Sequence, residues 1–144
     1  MNGCAPSATP RRLIDTNIML RYLVGDGGEQ AIKARGLFQD ASDGKVILVI
    51  PEVVLVECVH VLRSYYRVDR ADIAKALRGV IRLPGVETMT PAPVLTRSLD
   101  FFASVNVPWP DALIAANALE QMAPEIYSFD GHFDKFDGVR KLTP

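Results

Sequence analysis

Four acidic residues sit where hydrophobic runs of this 144-residue chain break or end. They are Asp15 in Leu13-Ile14-Asp15-Thr16-Asn17, Glu57 in Val54-Leu55-Val56-Glu57, Asp111 after Pro108-Trp109-Pro110, and Asp130 in Tyr127-Ser128-Phe129-Asp130. A carboxylate in apolar surroundings is expensive unless something pairs with it. A divalent cation is the simplest partner able to satisfy all four, and oxygen donors of this kind suit Mg2+ or Mn2+. A metal held in this way can activate a bound water.

Each acid also has a purely structural reading. Asp15 could cap the helix that follows it, and Thr16 and Asn17 are either further caps or groups that orient Asp15. Glu57 has apolar helical neighbours in Val53, Val54 and Val61, so its alternative is a side-chain partner such as His60 or Arg63. Asp111 after a proline could be a helix cap, and Asp130 before Gly131 a turn residue. Asp134 and Asp137 read as solvated acids of a polar C-terminal loop. Trp109, Phe101, Phe102 and Phe133 read as core rather than as surfaces for stacking on bases. Arg21, Arg63, Arg67, Arg97 and Lys135 are unranked candidates for phosphate contact.

The elements that must position these acids alternate between strand and helix. Arg11 to Asp15 reads as a strand and Asn17 to Val24 as a helix stopped by Gly25-Asp26-Gly27-Gly28. A helix from Glu29 to about Asp40 and a β-branched run over Val46 to Ile50 follow, the latter typical of a strand buried on both faces. Pro51 and Glu52 open a helix to about Tyr65. Asp69 caps another that runs to Arg82, and Val86 to Met89 is a short strand. Helices over Ala92 to Ser104 and from Asp111 to about Gln121, a strand over Ile126 to Phe129, and a last strand near Arg140 to Leu142 complete the pattern. It predicts an α/β fold with a mostly parallel sheet and right-handed crossovers. Ligands of open parallel sheets bind beyond the carboxyl ends of the strands, which places Asp15 and Asp130 there and lets Glu57 and Asp111 reach the same crevice.

Bulk properties agree with one domain over residues 11–144, preceded by a flexible tail over residues 1–10 without signal-peptide features. A composition 49% hydrophobic and 23% charged excludes disorder and fibrous classes. The net charge of −1 gives no overall attraction to nucleic acid, so any such contact must be local. Cys4 and Cys58 suit a reducing cytosol better than a disulfide, and the apolar stretch from Val46 to Leu62 is too interrupted for a membrane span.

Taken in order, Leu13-Ile14-Asp15-Thr16-Asn17-Ile18, Val54-Leu55-Val56-Glu57, Pro110-Asp111-Ala112-Leu113-Ile114-Ala115-Ala116 and Ser128-Phe129-Asp130-Gly131-His132-Phe133 resemble the PIN-domain ribonucleases, and among them the VapC-type toxins. The resemblance runs from Arg11 to Leu142. It implies a three-layer α/β/α sandwich with a mostly parallel central sheet, and a metal site on Asp15, Glu57, Asp111 and Asp130 supported by Thr16, Asn17 and Ser128. It further implies Mg2+-dependent (or Mn2+-dependent) cleavage of RNA, often transfer RNA, by a cytoplasmic homodimer whose antitoxin partner blocks the groove. Ser128 stands where the family often has Thr, and Pro108-Trp109-Pro110 is bulkier than the usual approach to the third acid. A catalytically silent PIN-like binding module is the alternative reading. Asp-Thr-Asn lacks the second acid of an Asp-x-Asp phosphotransfer motif, and the run from Gly25 to Gly28 follows a helix and matches neither GxGxxG nor a P-loop.

Overall fold

A computed structural model describes residues 8–144. Cys4 and most of the expected tail lie outside the described residues, while Ala8 to Pro10 are exposed and irregular. The order of elements is β1 (Arg11–Leu13), α1 (Thr16–Val24), α2 (Glu29–Ser42), β2 (Ile47–Ile50), α3 (Glu52–Ser64), α4 (Arg70–Ile81), β3 (Val86–Thr88), α5 (Ala92–Ser104), α6 (Trp109–Glu120), β4 (Glu125–Tyr127), a 3-10 helix (Gly131–Lys135) and β5 (Arg140–Leu142). The fold is mixed α/β, and none of its helices among the described residues is long and apolar enough to cross a membrane.

The chain forms two compact units. Among the described residues, one holds residues 8–58 together with Val80–Met89, and the other holds Val59–Gly79 with Thr90–Pro144. The first is built on a parallel sheet of order β1-β2-β3, with Leu13 opposite Val49 and Leu48 opposite Val86. The β-branched run makes β2 the central strand, with Leu48 and Ile50 buried, as a strand flanked on both sides requires. On α2, Ala31, Ala34, Phe38 and Ala41 recur at helical spacing and are all buried, and Phe38 stacks on Tyr22 of α1 at a ring separation of 4.0 Å. Small residues on that face allow close approach. A Cβ on Gly85, whose φ is +76°, would lie 2.2 Å from the Ala41 carbonyl oxygen. Glycine is thus demanded at the entry to β3 both by backbone angle and by space.

The second unit packs α5 against α6, with Leu95, Leu99, Phe102, Ala112 and Ala116 in its core. Arg70 Nη1 reaches the carbonyl oxygens of Phe102, Val105 and Val107 at 3.3, 3.3 and 2.6 Å, and its guanidinium lies 4.5 Å from the Phe102 ring centre. Charge-assisted bonds of this kind fix the loop that leads from α5 into α6. Strands β4 and β5 pair in parallel, Glu125 opposite Arg140 and Tyr127 opposite Leu142, as a sheet of their own. The expected single sheet is therefore divided into a three-stranded and a two-stranded one.

Two boundaries matter for the acids. Helix α6 begins at Trp109 rather than Asp111, because Pro108 serves as the N-cap and Pro110 falls in the first turn, where a fixed φ and a missing N–H cost nothing. Asp111 is then a first-turn acid, not the cap. Strand β4 ends at Tyr127 instead of Phe129, so Asp130 stands in the connection beyond the strand and caps a 3-10 helix that the hydrophobic pattern did not predict.

Candidate metal centre

In the first unit, Asp15 is the N-cap of α1, with extended φ of −95° and ψ of 175° and Oδ1 accepting from the Ile18 N–H at 3.0 Å. Its position follows from chain direction, since β1 delivers it just beyond the carboxyl end of a parallel strand. Thr16 Oγ1 donates to Glu57 Oε2 at 3.1 Å. Thr16 thus supports Glu57, where sequence had placed it behind Asp15. Asn17 is exposed on the first turn.

Glu57 corrects a premise of the sequence reading. Its helix is apolar in composition, yet Glu57 is exposed, and so is Val53 one turn before it. The buried positions are Val54, Leu55, Cys58, Val59 and Leu62. The carboxylate needs no partner to offset burial, and it takes one hydrogen bond from Thr16. Behind this pair, Cys58 Sγ lies 3.9 Å from the Thr16 carbonyl oxygen, and its pKa is pushed up to about 12, first by burial and second by the Glu57 charge. Only the thiolate reacts readily with disulfide reagents. In a Cys4→Ser background at pH 8, Cys58 is expected to react with an aromatic disulfide only after denaturant unfolds the chain, and prompt labelling of the native protein would contradict its burial.

In the second unit the structure brings Asp111, Asp130 and His132 together, their ligand-type atoms all within 4.8 Å of one another. His132 Nδ1 lies 2.8 Å from Asp111 Oδ2 and 3.2 Å from Asp130 Oδ2. Asp111 is the most enclosed of the three, its side chain 19% exposed, in the first turn of α6 where the helix dipole favours an anion. Asp130 is held at three points. Its Oδ1 accepts from the His132 N–H at 2.9 Å, its own N–H donates to Ser128 Oγ at 2.9 Å, and Oδ2 faces His132. Ser128 therefore supports Asp130 directly.

Two carboxylates and an imidazole nitrogen form a donor set that fits a divalent first-row ion. Within the first unit, Asp15 accepts from the Ile18 N–H and Glu57 from Thr16 Oγ1. The profile of the PIN domain matches residues 12–139, a span that contains all four acids.

The chain belongs to the PIN domain family.

It is also similar to a VapC ribonuclease of Aquifex aeolicus (strain VF5), with 25% identity over 135 residues that make up 92% of this chain and 96% of the relative. His132, which the structure places beside Asp111 and Asp130, was not among the candidate residues of the sequence. The available signal was the Asp-Gly-His spacing after β4, which lets an Asp cap the turn and returns a histidine beside its own carboxylate. The aromatic assignments agree with the structure: Trp109, Phe102 and Phe133 are buried, and Phe101 packs edge-on against Phe136 at 4.9 Å. Among the candidate phosphate contacts, Arg21 pairs with Asp26, Arg63 reaches the Val68 carbonyl and Lys135 that of Asn106, whereas Arg67 and Arg97 are exposed.

Proposed function

We propose that this PIN domain is a divalent-metal-dependent endoribonuclease and the toxin of a toxin–antitoxin pair. The observation that carries the reading is the Asp111, Asp130 and His132 cluster in a chain whose family match also contains Asp15 and Glu57. The similarity to a VapC ribonuclease along nearly the whole of both chains supports the choice of RNA as substrate.

In this reading Asp15, Glu57, Asp111 and Asp130 are the residues required for phosphodiester cleavage. A bound Mg2+ or Mn2+ would supply positive charge for the phosphoryl oxygens and ease the loss of a proton from the attacking water. The chain's own contribution is placement. Asp111 and Asp130 are held against His132 with Asp130 fixed at three points, and Thr16 Oγ1 donates a hydrogen bond to Glu57. Pre-set donors avoid the cost of gathering charged groups at the moment of reaction. A cytoplasmic homodimer inhibited by a small antitoxin, with structured RNA such as transfer RNA as target, completes the proposal.

The test is incubation of the purified chain with total RNA and with transfer RNA in Mg2+, in Mn2+ and in excess EDTA, followed by sequencing of new RNA ends. Discrete ends that require the added ion are expected. Intact RNA under every ionic condition would favour the catalytically silent binding module.

A further inference from the structure

The sequence assigns the metal site to carboxylates, yet a histidine nitrogen, His132 Nδ1, stands within 3.2 Å of both Asp111 and Asp130. We infer that His132 Nδ1 is itself a ligand of the bound cation, giving a mixed oxygen and nitrogen donor set that favours Mn2+ and Co2+ over Mg2+. The inference rests on the proposed metal site and adds to it both a ligand and an ion class.

The distances carry it. Neighbouring ligands of an octahedral ion bound at about 2.1 Å stand about 3 Å apart. His132 Nδ1 lies 2.8 Å from Asp111 Oδ2 and 3.2 Å from Asp130 Oδ2, the spacing of adjacent ligands from each acid, and the three ligand-type atoms lie within 4.8 Å of one another. The backbone is also the part that is fixed. The His132 N–H is tied to Asp130 Oδ1 and the turn is anchored by the buried Phe133 and Phe136. His132 is 37% exposed at its side chain, which leaves its remaining ring nitrogen, Nε2, able to carry the proton of the neutral tautomer when Nδ1 presents its lone pair.

The competing role for this nitrogen is a hydrogen-bond clamp, in which Nδ1–H bridges the two carboxylates and never touches the ion. The two roles differ in ion preference. Imidazole suits later first-row ions, and affinity for a nitrogen-containing site rises from Mn2+ to Co2+, whereas Mg2+ gains little from nitrogen. A clamp would act on every ion alike.

Pulsed electron paramagnetic resonance of Mn2+ bound to the full chain reads the ligand directly, without RNA. A directly bound imidazole gives nuclear modulation from 14N. The chain has two histidines, His60 and His132. The 14N modulation is expected in the wild type and in His60→Gln, to be replaced by a 15N pattern when histidine is 15N-labelled, and to vanish in His132→Gln. By calorimetry, His132→Gln should lose at least about 10-fold in affinity for Mn2+ and Co2+ and less than about 3-fold for Mg2+. Mn2+ bound without nitrogen modulation, or an equal loss for all three ions, would overturn the ligand role while leaving the metal site intact. No binding of Mn2+ at all would overturn the metal reading itself. 15N labelling of histidine in His60→Gln, where His132 is the remaining histidine, decides the matter even if His132→Gln does not fold.

Discussion

Asp15→Asn is expected to lower metal-dependent RNA cleavage by at least about 100-fold while leaving the fold at nearly its original stability. The two halves of that expectation come from the two jobs of one side chain. As the N-cap of α1, Asp15 accepts a hydrogen bond from the Ile18 N–H through Oδ1. Asparagine caps a helix about as well as aspartate, so the amide oxygen can keep that bond. What it cannot keep is the negative charge that a hard cation requires. Asp15→Ala should add a stability loss of about 1 kcal/mol to the same loss of cleavage, because the cap goes as well. Cleavage rates on one RNA and urea midpoints for both variants separate the effects. Equal cleavage by wild type and Asp15→Asn would remove Asp15 from the reaction, and a large stability loss in Asp15→Asn would mean that the cap depends on charge.

The four acids became candidates in the sequence because each one interrupts a hydrophobic segment, and interruption is visible in one dimension. Their surroundings were less visible. Glu57 stood out as the acid hardest to explain structurally, on the premise that an apolar helix is buried all round. In fact Val54, Leu55 and Cys58 take the buried side, and Val53 and Glu57, four residues apart, share an exposed one. Apolar composition marks a helix that packs, but which stripe packs depends on neighbours that composition does not name. His132 escaped for the opposite reason. A polar loop has no period, and the 3-10 helix there exists because the Asp130 side chain caps it, a local bond that hydrophobic spacing cannot reveal. The position of Asp111 shifted by a related mechanism, with Pro108 and Pro110 starting α6 earlier than the acid suggested. Strand β2 was the easiest element to read, because a continuous β-branched run flanked by turn residues leaves few alternatives.

Trp109→Ala is expected to lower stability by about 3–5 kcal/mol, which can approach the whole folding free energy of a domain of this size. Trp109 is 1% exposed, and its indole Nε1–H donates at 3.0 Å to Ser98 Oγ, which in turn donates at 2.7 Å to the Leu95 carbonyl oxygen. The substitution therefore leaves a large cavity and an unused acceptor at the α5–α6 packing. Trp109→Phe separates those terms. It keeps much of the apolar volume and loses the indole hydrogen bond, so its cost should be smaller, about 1–3 kcal/mol. The position also bears on chemistry, because Trp109 is the first residue of α6 and Asp111 lies two residues on in the same turn. If the indole anchors that turn, Trp109→Phe should weaken Mn2+ binding less than Trp109→Ala, measured on whatever fraction of each variant remains folded. Denaturation followed by far-ultraviolet circular dichroism gives the stabilities without relying on the fluorescence of the tryptophan that has been removed. A loss below about 1 kcal/mol in Trp109→Ala would mean that α6 holds its register without the indole, and that the anchoring of Asp111 comes from the two prolines alone.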